Sequence, residues 1–387
     1  MSRIYDNWDR LVAAVLRREL IWKICHDHSR TPSVISSVSS DFGSSFSLTS
    51  PLSSTFVDAE DGVFMFDNYL PLQISANIKA SVRSEEGKEE PRGQLVLIRV
   101  SPVEFGLQEL LMAPSIALGD KVETFRNAYL VRLREDFMIV VKRFSRGKFT
   151  DDVLEEKLKM IGSIKHENVV KMMGYYLNED ECLAILEYFP QGSLETMLHG
   201  EKGKNRVHLN WEARVRIATG AAKGLVHLHR KWRGKFAHGN IKASNIFLNS
   251  DQYGCISDIT IATSPTSNYD PPEVSLMKKT SQASDIYSFG VLLIELLSGR
   301  SPLHSTGRHQ TFIDWALHHA RDEWTSLVFD KKLLKDHLVK QAMWKILAVA
   351  LSCVEKIPEE RPTMAEVVDM LEYHIFKQNL VSGIIRM

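Results

Sequence analysis

His238-Gly239-Asn240-Ile241-Lys242-Ala243-Ser244-Asn245 is the stretch on which the reading of this chain turns. It follows a helical run ending near His229 and precedes a short apolar segment, Ile246-Phe247-Leu248. Outward from it lies Asp258, then Asp270-Pro271-Pro272-Glu273 twelve residues later, then Ser284-Asp285-Ile286-Tyr287-Ser288-Phe289-Gly290. Asn240 is close to an aspartate in shape, but its amide is neutral and takes up no proton near neutral pH.

The 387 residues are enough for one two-lobed domain with a tail, or for two modest domains. Hydrophobic content of 44% and charged content of 25% are those of an ordinary globular protein. Lys+Arg and Asp+Glu both number 48, and a balance of zero gives no support to nucleic-acid binding. Cys25, Cys182, Cys255 and Cys353 are far apart, without paired metal spacing, and read as free thiols in a reducing compartment. No run of eighteen apolar residues occurs, and Met1-Ser2-Arg3 is neither a secretory start nor a myristoylation signal. The expected location is the cytoplasm.

Residues 1–28 read as an amphipathic N-terminal helix, with Trp8, Leu11, Val12, Val15, Leu16 and Leu20 at helical spacing among basic residues. Over 8–25 it suits a docking helix, peripheral contact with the inner face of the plasma membrane, or packing on the protein's own surface. Residues 29–105 read as a Ser-rich and charged linker, largely disordered, because stretches such as Ser36–Ser40 bury too little to offset chain entropy. Within it Gln94–Val100 has the pattern of a strand. Phe105–Leu111 reads as a short helix leading into the folded domain.

From about residue 106 the pattern is α+β. Strand-like runs at Ala128–Leu133, Met138–Phe144, Met172–Tyr176 and Cys182–Tyr188 enclose one helical run, Asp151–Ile164. Helical patterns then dominate at Trp211–His229, Ser284–Leu297, Phe312–His319, Val339–Val354 and Met364–Tyr373. Strands first and helices afterwards predict two lobes with a cleft between them.

The opening stretch, with Asp258, Asp270–Glu273 and Ser284–Gly290, resembles the catalytic loop, metal-binding segment and anchor of a protein kinase, whose loop reads H-R-D-x-x-x-x-N. Over residues 106–376, about 70% of the chain, the sequence resembles plant receptor-like kinases. The resemblance is carried by Leu209–Arg214, Gly220–Leu225, Ser352-Cys353-Val354 and Pro358–Met364. Arg321–Thr325 and Val328-Phe329-Asp330 resemble the leucine-rich-repeat receptor-like group that contains many inactive members. With no repeat or span before it, the match is to a cytoplasmic form. The resemblance implies a small, mostly β N-lobe at 106–187 and a larger α-helical C-lobe at 188–378.

It also implies residue roles. Asn240 stands where the family has the Asp that accepts the substrate's hydroxyl proton. Losing a positioned base costs about 10²–10⁴ in rate. Lys242 matches the catalytic-loop lysine, and Lys142 matches the phosphate-contacting lysine. Asn245 and Asp258 match the two residues that hold metal ions, although Asp258-Ile259-Thr260 replaces D-F-G. Glu273 and Arg361 match a buried ion pair, and Asp285 matches the anchor of the catalytic-loop backbone.

Other positions depart from the pattern. With Phe125 and Tyr129 as the aromatic pair of the Gly-rich loop, Lys121, Glu123 and Arg126 occupy the glycine positions, and only Gly119 is near. Side chains there block the close approach of backbone amides to phosphate. Lys157 falls where the family's first-lobe helix carries the Glu that pairs with the lysine at 142. Two ammonium groups about 4 Å apart repel by roughly 4 kcal/mol at an effective dielectric of 20. That helix is therefore expected to sit away from Lys142 or to rotate and offer Glu156. Thr260–Asp270 is a short activation segment with few basic partners for a phosphate.

The expectation is a catalytically impaired kinase, a pseudokinase, serving as a scaffold or allosteric partner of active kinases or receptor complexes in plant signalling. It requires no cofactor, and weak ATP and Mg binding are compatible with it. The alternatives are weak Ser/Thr phosphotransfer through Lys142, Lys242, Asn245 and Asp258, and an ATP-binding switch without transfer.

Overall fold

The computed structural model describes residues 70–71, 93–98, 104–118, 128–178, 182–200, 208–231, 236–261, 267–277, 279–303, 311–321, 327–334 and 337–381. The expected helix at 8–25, the Ser-rich stretch and positions 119–127 of the Gly-rich loop lie outside these residues. Among the described residues, no helix is long and apolar enough to cross a membrane.

Seven strands form the first lobe: β1 (Leu70–Pro71), β2 (Gly93–Leu97), β3 (Pro114–Ala117), β4 (Ala128–Arg134), β5 (Phe137–Arg143), β6 (Met172–Asn178) and β7 (Cys182–Glu187). They pair antiparallel in the order β1-β3-β4-β5-β7-β6-β2. Helix α1 (Leu107–Met112) sends Leu110 and Leu111 into a core with Phe105, Val131, Ile139, Val141 and Ile185. Because strand side chains alternate, burying Ile139 and Val141 turns Lys142 to the opposite face. There it sits in register between two small residues, Ala128 and Ala184. The second helix of this lobe, α2 (Asp151–Gly162), buries Leu154, Leu158 and Ile161.

The folded lobe begins earlier than residue 106. Gly93–Leu97, inside the stretch expected to be linker, pairs along its whole length with β6, and Leu95 packs against the core. An edge strand with unpaired backbone groups supplies a partner for any nearby segment of suitable alternation, and that is what draws this one out of the linker.

The second lobe is helical: α3 (Leu194–His199), α4 (Trp211–Arg230), α5 (Pro272–Met277), α6 (Gln282–Ser298), α7 (Phe312–Arg321), α8 (His337–Cys353) and α9 (Met364–Val381). Helix α6 is buried at every position from Ser284 to Ser298, as a largely apolar helix at the centre of a lobe is, with Asp285 and Glu295 as its buried charged residues. Its start is fixed by a capping box between Ser281 and Ser284. A two-strand hairpin, β8 (Ile246–Leu248) and β9 (Gly254–Ile256), lies on α4. A Cβ on Gly220 would come within 2.5 Å of the Gly254 backbone nitrogen, so this approach requires glycine.

One charge cluster holds the loop 238–245 in place, and a second ties α5 to the start of α6 and to the turn before α9. Asp285, 1% exposed in the first turn of α6, accepts hydrogen bonds from the backbone N–H groups of His238 (2.7 Å) and Gly239 (2.7 Å), and lies 2.9 Å from His229 Nε2. Arg361 binds Glu273 at 2.6 and 3.1 Å and also donates to the carbonyls of Ala283 and Glu355. His238 itself is fully buried, its Nδ1 accepting from the Asn240 N–H at 3.2 Å. Burial pushes its pKa down to about 4, against the opposing pull of Asp285 and Asp258.

Two predictions come from these clusters. Arg361→Ala leaves Glu273 half-buried without its partner and should cost about 3–5 kcal/mol in urea unfolding; a loss below about 1 kcal/mol would contradict the role given to the pair. His238 gains a proton in the unfolded chain near pH 6.5 but in the fold only near 4, so stability falls as pH drops through that window. Unfolding at pH 5 against pH 7.5 should show His238→Asn relieving the acid loss by about 2 kcal/mol. An unchanged pH dependence in the variant would mean that His238 charges within the fold.

Candidate functional site

The loop 238–245 and the segment after β9 are zipped together by their backbones. Gly239 takes φ +74, a left-handed conformation suited to glycine, and Ala243–Asn245 forms a 3-10 turn that leads directly into β8. The Ser257 N–H donates to the Asn245 carbonyl and the Thr260 N–H to the His238 carbonyl, both at 2.9 Å. Asp258 lies between these two bonds with φ +67, a region uncommon for a residue with a Cβ and typical of functional sites.

That backbone presents the Asp258 carboxylate to the two lobes at once. Lys142, from the end of β5, places Nζ 3.2 Å from Asp258 Oδ2. The Asn240 amide donates from Nδ2 to the Asp258 carbonyl (3.2 Å) and to Oδ2 (3.3 Å). Burial alone would raise the Asp258 pKa; the Lys142 charge and hydrogen bond, with Lys242 and His238, outweigh it and hold the carboxyl below its ordinary value. Lys242 is half-buried, and its pKa is lowered mainly by burial, with Lys142 adding to the effect and Asp258 opposing it. The Asn245 Nδ2 donates to the Asn240 carbonyl at 2.9 Å, while its Oδ1 is buried without a partner.

Helix α2 presents no carboxylate to Lys142. The Lys157 Nζ lies 3.8 Å above the Phe149 ring and donates to the Ile261 carbonyl at 3.1 Å. Burial lowers its pKa. Glu155 accepts from the Tyr175 hydroxyl (3.0 Å) and pairs with Lys159, and Glu156 is exposed. The expected rotation that would offer Glu156 to Lys142 is absent: Glu156 is exposed, and Lys157 takes a backbone carbonyl as its acceptor.

The structure therefore brings Lys142, Asn240, Lys242, Asn245 and Asp258 into one cluster, with Asp285 beneath it. Glu273 and Arg361 stand apart as a structural pair. Thr263, Ser264 and Thr266 of the short segment lie outside the described residues; Ser267 donates its N–H to Asp270. Sequence reasoning missed the Lys157–Ile261 contact. The one available signal was a lysine at a helix position where the family pairs a carboxylate with residue 142.

The kinase pattern implies magnesium and a nucleotide at this cluster, and the residues fit a divalent ion in one half only. The orphan Oδ1 of Asn245 is a buried acceptor of the kind a cation would satisfy. The Asp258 oxygen, however, is already engaged by an ammonium and an amide, and the Asn240 side chain turns its donor toward the same spot. As arranged, the pair does not form a two-ligand site for a hard cation. The Asn240 amide itself offers no proton acceptor of useful basicity.

Comparison with known proteins places the chain in a family. Residues 123–371 match the family described as protein tyrosine and serine/threonine kinase. The probable inactive receptor kinase At4g23740 of Arabidopsis thaliana is 42% identical over 279 residues, 69% of this chain and 43% of that protein. The probably inactive receptor-like protein kinase At5g41680, also of Arabidopsis thaliana, is 33% identical over 73% of this chain and 88% of its own length. Against most curated relatives it matches, the chain spans about half the length. Among solved structures, the pseudokinase domain of BIR2, described as an immune regulator of the RLK/Pelle family, superposes with a TM-score of 0.62 at 25% identity. It covers 74% of this chain and 91% of that one. A β-sheet lobe followed by a helical lobe, with these motifs in this order, is the protein kinase fold, and the chain belongs to the receptor-like kinases of plants, alongside members named as inactive.

Proposed function

We propose that this chain is a pseudokinase that works by binding other proteins, as a scaffold or allosteric partner of active kinases or receptor complexes in plant receptor-kinase signalling. One observation carries the reading: the Asp258 carboxylate is paired from within with Lys142 and hydrogen-bonded by the Asn240 amide. Kinase catalysis is mostly positioning plus electrostatic stabilisation of the transferred phosphoryl group by metal ions. A carboxylate spent on an internal lysine supplies neither. The amide of Asn240 removes the base as well.

The scaffold contacts support the same reading from the other side. Asp285 and the Glu273–Arg361 pair keep the loop and the second lobe in kinase form, although phosphate handling is impaired. A fold retained without its reaction is free to act through its surfaces, in the cytoplasm or at the inner face of the plasma membrane. No cofactor is required for that role.

A second reading, nucleotide binding without transfer, draws on Asn245, whose buried and unpartnered Oδ1 leaves room for one further polar contact in the cluster. Weak ATP binding, with or without Mg, would then act as a switch on the protein surfaces.

Both readings are tested on the purified full chain, with Asp258→Ala as control. Thermal stabilisation by Mg-ATP and transfer of radiolabel from ATP are measured together. The first reading expects no transfer above that control and no stabilisation at ATP concentrations in the millimolar range. Stabilisation without transfer would select the second. Transfer that disappears in Asp258→Ala would overturn both.

A further inference from the structure

The cleft contains two lysines whose ammonium groups land three residues apart on one segment. Lys142 reaches Asp258, and Lys157 reaches the carbonyl of Ile261. They come from different elements of the first lobe, β5 and α2, while the segment belongs to the second. In an active kinase a glutamate on the first-lobe helix neutralises the strand lysine, and the carboxylate at position 258 is left for the metal. Here the helix position carries a like charge, Glu155 is committed to Tyr175 and Lys159, and Glu156 faces solvent. Among the described residues of α2, none offers Lys142 a carboxylate.

We infer that Lys157 is a positioning residue that keeps Asp258 closed to divalent cations: by placing an ammonium where a carboxylate would draw Lys142 away, it leaves Lys142 to pair with Asp258. Three observations support this. The Lys157 ammonium is held over Phe149 and on Ile261 O, so it stays beside the segment. The Asn240 amide donates to the same Oδ2 that Lys142 engages, closing that oxygen from the second lobe as well. The Asn245 Oδ1 remains without a partner, so the second ligand atom is present while the first is occupied. A divalent ion at Asp258 would have to displace a lysine that has no alternative acid on α2, and it would come to rest between the charges of Lys142 and Lys242.

The inference rests on the reading that the cleft is catalytically impaired, but it concerns cation binding and is measured without phosphate transfer. Manganese is the probe, titrated into the full chain without nucleotide and followed by the loss of its free-ion electron paramagnetic resonance signal. Lys157→Glu should bind Mn²⁺ at least tenfold more tightly than wild type, and adding Asp258→Asn should abolish the gain. Lys142→Met removes the competing ammonium directly and should also tighten binding; it decides the matter if Lys157→Glu does not fold, as judged by its melting curve. Wild type binding Mn²⁺ as tightly as the folded variants, or a gain that survives Asp258→Asn, overturns the inference. Phosphate transfer by wild type would instead overturn the pseudokinase reading, so the two failures are told apart.

Discussion

The negative charge of one side chain, Asp258, governs the cleft. A carboxylate partly withdrawn from water must find a positive partner, and in a working kinase that partner is a metal ion brought in with the nucleotide. In this protein it is Lys142, 3.2 Å away, assisted by the amide of Asn240. An aspartate at 240 would set a second carboxylate against the first, with repulsion relieved only by a cation or a proton. Asparagine turns that repulsion into a hydrogen bond. An asparagine at 240 thus lets the loop and the segment after β9 rest against each other through a neutral donor.

The remainder of the second lobe does not depend on this exchange. Asp285 accepts two backbone N–H groups of the loop and lies beside His229, and Arg361 is saturated by Glu273 and carbonyls. Such buried charges cannot be trimmed singly, because each would leave its partner stranded in a poorly solvated site. The start of the loop is therefore anchored by residues other than Lys142, Lys157 and Asp258. Catalysis and architecture are carried by different residues, so one can be lost while the other persists.

Much of this was legible in the chain itself. The apolar run of α6 and the alternation of β4 and β5 announce a helical lobe and a sheet because burial leaves a periodic mark. Lys142, Asn245 and Asp258 could be picked out by motif spacing. Their mutual contacts could not, since an ion pair across more than a hundred residues leaves no periodicity. The bond from Lys157 to a backbone carbonyl is less visible still, because any residue could supply the acceptor. The strand at Gly93–Leu97 had the right alternation, but only the free edge of β6 shows that it belongs to the domain.

The account is tested most directly by anomalous diffraction from crystals grown with manganese and a non-hydrolysable ATP analogue. It predicts no manganese peak against Asp258, with Lys142 Nζ still in hydrogen-bonding reach of the carboxylate. A full-occupancy peak bridging Asn245 and Asp258, with Lys142 displaced onto the phosphates, would contradict it.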